Sequence, residues 1–418
     1  MTRMRSAFPQ GGMPWDDLSA EMKRMSAGDI DWRGGRAPLF VFGSDDETYE
    51  VGKRAFFEFF SENALGRTRA FHGIGAMERD VLDYGLTLLN APDGAEGAFT
   101  TGGSESIFLS MKAARDELRA RAGFRPGEQL NIVMPITGHP GFDKAADAMD
   151  LEIRRSGVDA ERRGHAVTLR PLIDERTIAI VGSAPCFPHG VIDRIDELSA
   201  LALETERWLH VDACVGGWLA PWFTRVGRAT PDFDFRFVGV RSISADLHKF
   251  GFCPKPASTV FYRRAEDLDR ATFKADAWPN GPFQTATIAG TRPGGAVAAA
   301  WAVLNHLGEA GFQRLARQLA GMVDQYVTGI EALGLRMIAQ PDLTIINFAA
   351  DDADIFQVAE AMAAKDWLPG LTRDPKGMHA MMSTLHDAPR ERYLEDLALA
   401  LEESRASSAQ RAKIEAVY

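Results

Sequence analysis

Three short stretches of this chain hold residue types that could do chemistry together. Thr101-Gly102-Gly103-Ser104-Glu105-Ser106 stands directly before an amphipathic run. Its two glycines let the backbone approach a ligand closely. The helix start offers unpaired N–H groups and a positive dipole end, and Ser104 and Ser106 add hydroxyl donors, so a phosphate would fit there. Leu209-His210-Val211-Asp212-Ala213 sets an aspartate after an apolar run, at the expected carboxyl end of a parallel strand, where open α/β sheets bind ligands. A carboxylate at that depth needs a cationic partner. In SISADLHKFG (242–251), Lys249 lies among small and aromatic residues beside His248. A lysine that is partly desolvated, or next to another cation, loses its proton more easily and can form an imine.

Each stretch alone has an ordinary reading: Ser104 as a helix N-cap, Asp212 as a cap on the next segment, Lys249 as a surface lysine lying along the protein. Together they match the needs of one cofactor. Pyridoxal phosphate requires a lysine Schiff base, an acidic partner for its pyridinium nitrogen and a phosphate site. Asp212 would keep the ring nitrogen protonated, so that the ring can withdraw electrons. No HExxH or GxGxxG pattern competes for a metal or a nicotinamide.

Such residues must be positioned by alternating strands and helices. Strand-like runs occur at 130–135, 151–154, 177–183, 207–213, 237–244 and 257–263, with helical patterns at Ser104–Ala120, Phe142–Met149 and Ile192–Glu206. That alternation predicts βαβ units and a mostly parallel sheet with helices on both faces. Upstream, 16–28 and 46–62 read as helices and Asp93–Gly97 as a loop. Downstream, a long helical stretch at 295–333 breaks near Gly308–Gly311. A strand (343–349), helix (353–366), strand (378–384) and helix (388–403) follow. The expected division is an N-terminal arm (1–65), a large cofactor domain (66–315) and a small C-terminal α+β domain (316–418).

Composition bounds the partners. The chain has 418 residues, 45% of them hydrophobic and 25% charged, the profile of a folded soluble protein of two to three domains. Lys plus Arg is 47 and Asp plus Glu is 58, a net charge of −11. No global attraction to nucleic acid or anionic membrane follows, so a small molecule is the default substrate. The three cysteines, Cys186, Cys214 and Cys253, lack CxxC spacing and point to a reducing cytoplasm. The N-terminus reads as no secretory signal, and the longest apolar segment, near 296–304, falls short of the ~18 residues of a membrane helix.

At the residues above, the chain resembles the pyridoxal-phosphate-dependent decarboxylase family of the aspartate aminotransferase fold (fold type I). The resemblance runs from about 13 to 405 and rests on WRGGR (32–36), TTGGSESIFLSMKAARD (100–116), GHPGFDKAAD (138–147), HVDACVGG (210–217), SISADLHKFGFCPKPAS (242–258) and IAGTRPGG (288–295). Within that family it is most similar to the sphingosine phosphate lyase branch. The resemblance implies an α/β fold with a large parallel-sheet domain and a small C-terminal α+β domain. It implies Lys249 as the cofactor lysine, Asp212 at the pyridinium nitrogen and His139 stacked on the ring face. Gly103 and Ser104 would contact the phosphate, with His248 beside it. It also implies a homodimer in which Gly290 and Thr291 reach the partner chain's phosphate, and Lys255 as a second lysine for proton transfer or an anionic substrate group.

Two positions depart from that branch. Phe42 stands where it has a tyrosine, and Gly66, or Arg67, where it has a histidine, both of which help bind a substrate phosphate. An arginine would instead be a bidentate anion ligand, and His72 is a further polar candidate. Of the reactions that fit, carbon–carbon cleavage of a 2-amino-3-hydroxy amine or amino acid, with or without a phosphate, ranks first, because Lys255 and its flanking motifs match that branch. Lys249 or Lys255, its pKa lowered by neighbouring cations, would supply the base. Amino-acid α-decarboxylation ranks second, transamination third and a catalytically silent scaffold last.

Overall fold

A computed structural model describes residues 5–125, 127–406, 412 and 414–416. Short apolar runs between turn-forming residues become the strands of a seven-stranded sheet: β1 (Glu96–Thr100), β2 (Leu130–Pro135), β3 (Leu151–Ser156), β4 (Thr177–Ser183), β5 (Trp208–Asp212), β6 (Val240–Ala245) and β7 (Ser258–Tyr262). Their spatial order is β1-β7-β6-β5-β4-β2-β3. From β3 to β6 all neighbours are parallel, and β7 alone runs against β6 and β1. Every residue of β2, β4, β5 and β7 is buried, which is why these segments read as near-continuous apolar runs.

Several segments depart from expectation, among them the short strands Arg336–Met337 and Gly370–Arg373 and the short helices Ala220–Arg225 and Ala265–Ala271. The supposed loop at 93–97 ends early, because Glu96 and Gly97 pair with Tyr262 and Phe261 of β7. A small hairpin forms between β8 (Phe273–Ala275) and β9 (Phe283–Thr285). The helix His72–Leu88 was hidden by its glycines. A glycine costs up to about 1 kcal/mol in a helix, but Gly85 lies so close to the sheet that a Cβ would stand 2.2 Å from Cζ of Phe261. The tertiary contact selects the residue that local propensity disfavours.

The helix Gly294–Ala332 leaves the large sheet and is broken at Gly308, whose φ of 52° and ψ of −173° are not helical. Beyond it lie β10 (Arg336–Met337), β11 (Ile345–Ala349), β12 (Gly370–Arg373) and β13 (Lys376–Met381), an antiparallel sheet in the order β10-β11-β13-β12. Helices Ile355–Ala363 and Arg390–Ala406 accompany it. The N-terminal segment is tied to this unit, with the N–H of Met381 donating to the Pro38 carbonyl and that of Leu368 to the Arg36 carbonyl. One hydrophobic cluster runs from Leu209 and Ile243 of the large sheet to Ile345 and Phe348 of the small one. Among the described residues, no helix is long and apolar enough to cross a membrane.

Candidate active site

Parallel pairing points the carboxyl ends of β2, β4, β5 and β6 the same way, and the loops leaving them meet at one cavity of about 380 Å³. His139 follows β2, Ser183 ends β4, Asp212 ends β5 and Lys249 follows β6. The cradle Thr101–Glu105 follows β1. Gly103, Ser104, His139, Asp212, His248 and Lys249 all line this cavity.

Other expected residues lie elsewhere. Ser106 is no ligand donor. Its Oγ is buried, 2.7 Å from Thr100 Oγ1 and 3.0 Å from Ser258 Oγ. At 3.6 residues per turn, positions 104 and 106 fall on opposite sides of a helix. Lys255 is exposed and does not line the cavity. Gly290 and Thr291 sit on the loop before Gly294 and do not line this chain's own cavity. Thr291 is exposed, 3.3 Å from Asn63 Nδ2. Phe42 packs on Phe250 with ring centroids 5.2 Å apart. Gly66 closes a short 3₁₀ turn, and Arg67 pairs at 3.5 Å with the buried Glu78. Arg67 and His72 line a separate cavity of about 490 Å³ that shares no lining residue with that of Lys249.

The central ion pair reverses one expectation. Lys249 Nζ lies 3.0 Å from Asp246 Oδ2, and His248 Nε2 stands 3.6 Å from the same oxygen. Burial opposes the lysine's charge, but the Asp246 carboxylate outweighs it and holds the ammonium above its ordinary range. Burial likewise opposes ionised Asp246, while Lys249 and then His248 draw its pKa down. The pair is therefore charged, and Lys249 holds its proton rather than losing it. The depressed lysine is Lys255, lowered by partial burial and then by the Lys249 charge. The sequence signal for this pair is an acid three residues before the lysine, inside SISADLHKFG.

Asp212 is held from below. Its Oδ1 accepts the N–H of Cys214 and the hydroxyl of Ser244, both at 3.1 Å. Ser244 in turn meets His210 Nε2 at 3.3 Å, and His210 Nδ1 meets Ser242 Oγ at 2.8 Å, which also accepts from the Trp208 indole at 2.7 Å. Burial pushes His210 down to about 4, so this relay is neutral. His139 Nδ1 accepts the N–H of Gly141 at 3.0 Å, which leaves the proton of a neutral ring on Nε2. Burial lowers His139 as well, against the opposing charge of Asp212.

Sequence reading also overlooked Glu105. Its Oε2 accepts from the Thr101 N–H and hydroxyl, each at 2.7 Å, and its Oε1 from the N–H groups of Ile288 and Ala289 at 2.7 and 3.0 Å. One buried carboxylate thus ties the cradle to the loop carrying Gly290 and Thr291. An acid in the first helical turn was the available clue.

The residues present fit pyridoxal phosphate. The helix Gly103–Ala122 has no side-chain cap at its start, which leaves backbone donors and dipole for an anion. Gly103 keeps that cradle open, because a Cβ would stand 2.7 Å from Cys214 Sγ and 3.1 Å from Asp246 Oδ2. An amine, a supported carboxylate and an imidazole share the cavity with that cradle.

The family described as "Pyridoxal-dependent decarboxylase conserved domain" matches residues 74–351. The chain is 32% identical to a sphingosine-1-phosphate lyase of Oryza sativa subsp. japonica over 401 residues, 94% of this chain and 74% of that protein. It is 31% identical over 339 residues to a probable L-tyrosine/L-aspartate decarboxylase of Methanothermobacter thermautotrophicus, covering 80% of this chain and 89% of the other. The solved sphingosine-1-phosphate lyase of Burkholderia pseudomallei K96243 superposes with a TM-score of 0.91 at 32% identity, over 97% of this chain and 94% of that one.

Proposed function

This chain belongs to the pyridoxal-dependent decarboxylase family and is a pyridoxal-phosphate-dependent lyase of fold type I, and from that premise we propose how its own residues cleave a carbon–carbon bond. The substrate is a 2-amino-3-hydroxy compound, with or without a phosphate, and the products are an aldehyde and an amine. The observation that carries this reading is the likeness to sphingosine-1-phosphate lyases over nearly the whole chain, in sequence and in backbone together.

Bound pyridoxal phosphate supplies an electron-withdrawing ring beside the amine-bearing carbon. Lys249 Nζ is the attachment atom, and Asp246 keeps a proton on that nitrogen whenever it is free. Asp212, braced by Ser244 and the Cys214 N–H, would hold the proton on the ring nitrogen. Gly103 and Ser104 would hold the phosphate at the helix start, with His248 beside it. His139 would cover the ring. Lys255, with its lowered pKa, is the better-suited acceptor for the substrate's hydroxyl proton, and Lys249 the better donor. Lys255 would have to swing in from the exposed loop to take that role.

The same reading makes the protein a cytoplasmic homodimer in which Gly290 and Thr291 face the partner's phosphate, with Glu105 setting their loop. It divides the chain into an arm (1–65), a cofactor unit (66–315) and a small unit (316–418). To test the reaction, the cofactor-loaded protein is given 2-amino-3-hydroxy amines and their phosphates alongside common amino acids, and aldehyde and CO2 are both measured. Aldehyde from the hydroxy amines is expected. CO2 from amino acids with no aldehyde from any hydroxy amine would establish the α-decarboxylase instead.

A further inference from the structure

The Lys249 cavity does not end at the cofactor residues. His139 and Phe187 line it and also line a second, larger cavity of about 550 Å³. That second space is walled by the large sheet's loops, by Leu39 and Phe40 of the N-terminal segment, and by β12 and β13 of the small sheet. Most of its wall is apolar, although Arg155, Arg373 and Asp374 also line it, and one buried side chain stands out.

His379 on β13 lines this cavity and is 5% exposed. Its Nδ1 is buried with no hydrogen-bond partner, and among the described residues Nε2 has none either. Nδ1 has no exposed surface, so only the Nε2 side of the ring can meet a group in the cavity. The ring is fixed in place, edge-to-face against Phe187 with centroids 4.8 Å apart. Its Nε2 edge lies beside Gly370, which also lines the cavity. A Cβ on Gly370 would stand 2.7 Å from Nε2. Glycine there leaves the imidazole edge uncovered. Burial, and secondarily His189, push His379 down to about 4, so the ring is neutral and can either donate or accept.

We infer that the second cavity holds the substrate's tail and that His379 is a specificity-determining residue, hydrogen-bonding a hydroxyl or carbonyl on that tail about one ring width beyond Phe187. This rests on the lyase reading and adds to it the class of tail: apolar beside Phe187, polar further out. Phe187, shared by both cavities, marks where the reacting carbons end and the tail begins.

A matched pair of probes tests it: 2-amino-3-hydroxyoctyl phosphate and 2-amino-3,8-dihydroxyoctyl phosphate. Each is titrated into the cofactor-loaded protein and binding is followed by the cofactor's visible absorbance. One neutral hydrogen bond predicts that the dihydroxy compound binds about fivefold more tightly. His379→Phe removes that difference and His379→Gln retains it. Gly370→Ala removes it too, because its Cβ would stand 2.5 Å from the His379 carbonyl oxygen and 2.7 Å from Nε2, so the ring must shift from its place. All three variants keep the cofactor band and bind the plain compound within about twofold of the parent. Equal affinities for the two compounds in the parent protein, or a preference that survives both His379→Phe and Gly370→Ala, would overturn the role of His379 and leave the lyase reading standing. Failure of the parent protein to bind either compound would overturn both.

Discussion

Lys249 and Asp246 show how far a single residue's chemistry depends on one neighbour. A lysine beside a histidine reads as an amine primed to lose its proton, yet the carboxylate 3.0 Å away makes it an ammonium. Lys249→Ala is expected to abolish the visible cofactor band, leave no borohydride-fixed adduct in a mass spectrum, and lower turnover by about 10³-fold, the range of a lost proton-transfer group. A fixed adduct that persists in this variant would move the attachment to another lysine. Six residues of the cavity were legible because glycine, serine, aspartate, histidine and lysine carry their chemistry in their identity. Glu105 and Asp246 were not, because an acid's role depends on which donors face it, and those come from residues 288, 289 and 249.

At the scale of elements, periodicity located the strands and helices that carry the site, from β2 to the helix Gly103–Ala122. It missed the helix His72–Leu88, whose glycines serve contact rather than propensity. It also missed that the loop before Gly294 is pinned to the cradle. Glu105→Ala removes a charged acceptor serving four donors on two elements, and should cost about 3 kcal/mol, given ~1.5–3 kcal/mol per charge-assisted bond and incomplete additivity. The expected outcome is a lower melting temperature together with a cofactor dissociation constant raised at least tenfold. A loss of stability with unchanged cofactor affinity would make Glu105 a clamp on the loop alone.

Across the whole molecule, the acid side of the stability curve follows from buried groups. Burial holds His189, His210 and His379 at about 4, against an ordinary 6.5. The unfolded chain therefore takes up those protons first as pH falls, and the stability they contribute, full above 6.5, is lost on the way to 4. Asp193, raised by burial to about 6, works the other way between 6 and 4, where the folded state binds the extra proton. Among these four groups the balance is two protons favouring the unfolded chain, or about 3 kcal/mol per pH unit at ~1.4 kcal/mol each, and burial-lowered His139, His248 and His386 add in the same direction. The melting temperature should change little from pH 8 to 7 and fall by several degrees per unit from 6 to 4.5. A flat profile across that window would mean that these histidines are solvated.

The order of residue types along the chain was enough to identify the cofactor, the parallel sheet and the strand ends that gather at one cavity, because those depend on local patterns: a glycine cradle before a helix, an acid after a buried strand, a lysine in a small-residue loop. Only the tertiary structure decided the charge state of Lys249, the inward clamp of Glu105 and the separation of Arg67 and His72 from the reacting centre. It also decided the second cavity, whose walls come from Phe40, Phe187, Gly370 and His379. Those residues are scattered over more than three hundred positions, and none alone carries a signal. What a substrate's tail meets is set by the packing of the small sheet and the N-terminal segment against the large sheet, and burial and partnership are properties of that packing rather than of any stretch of sequence.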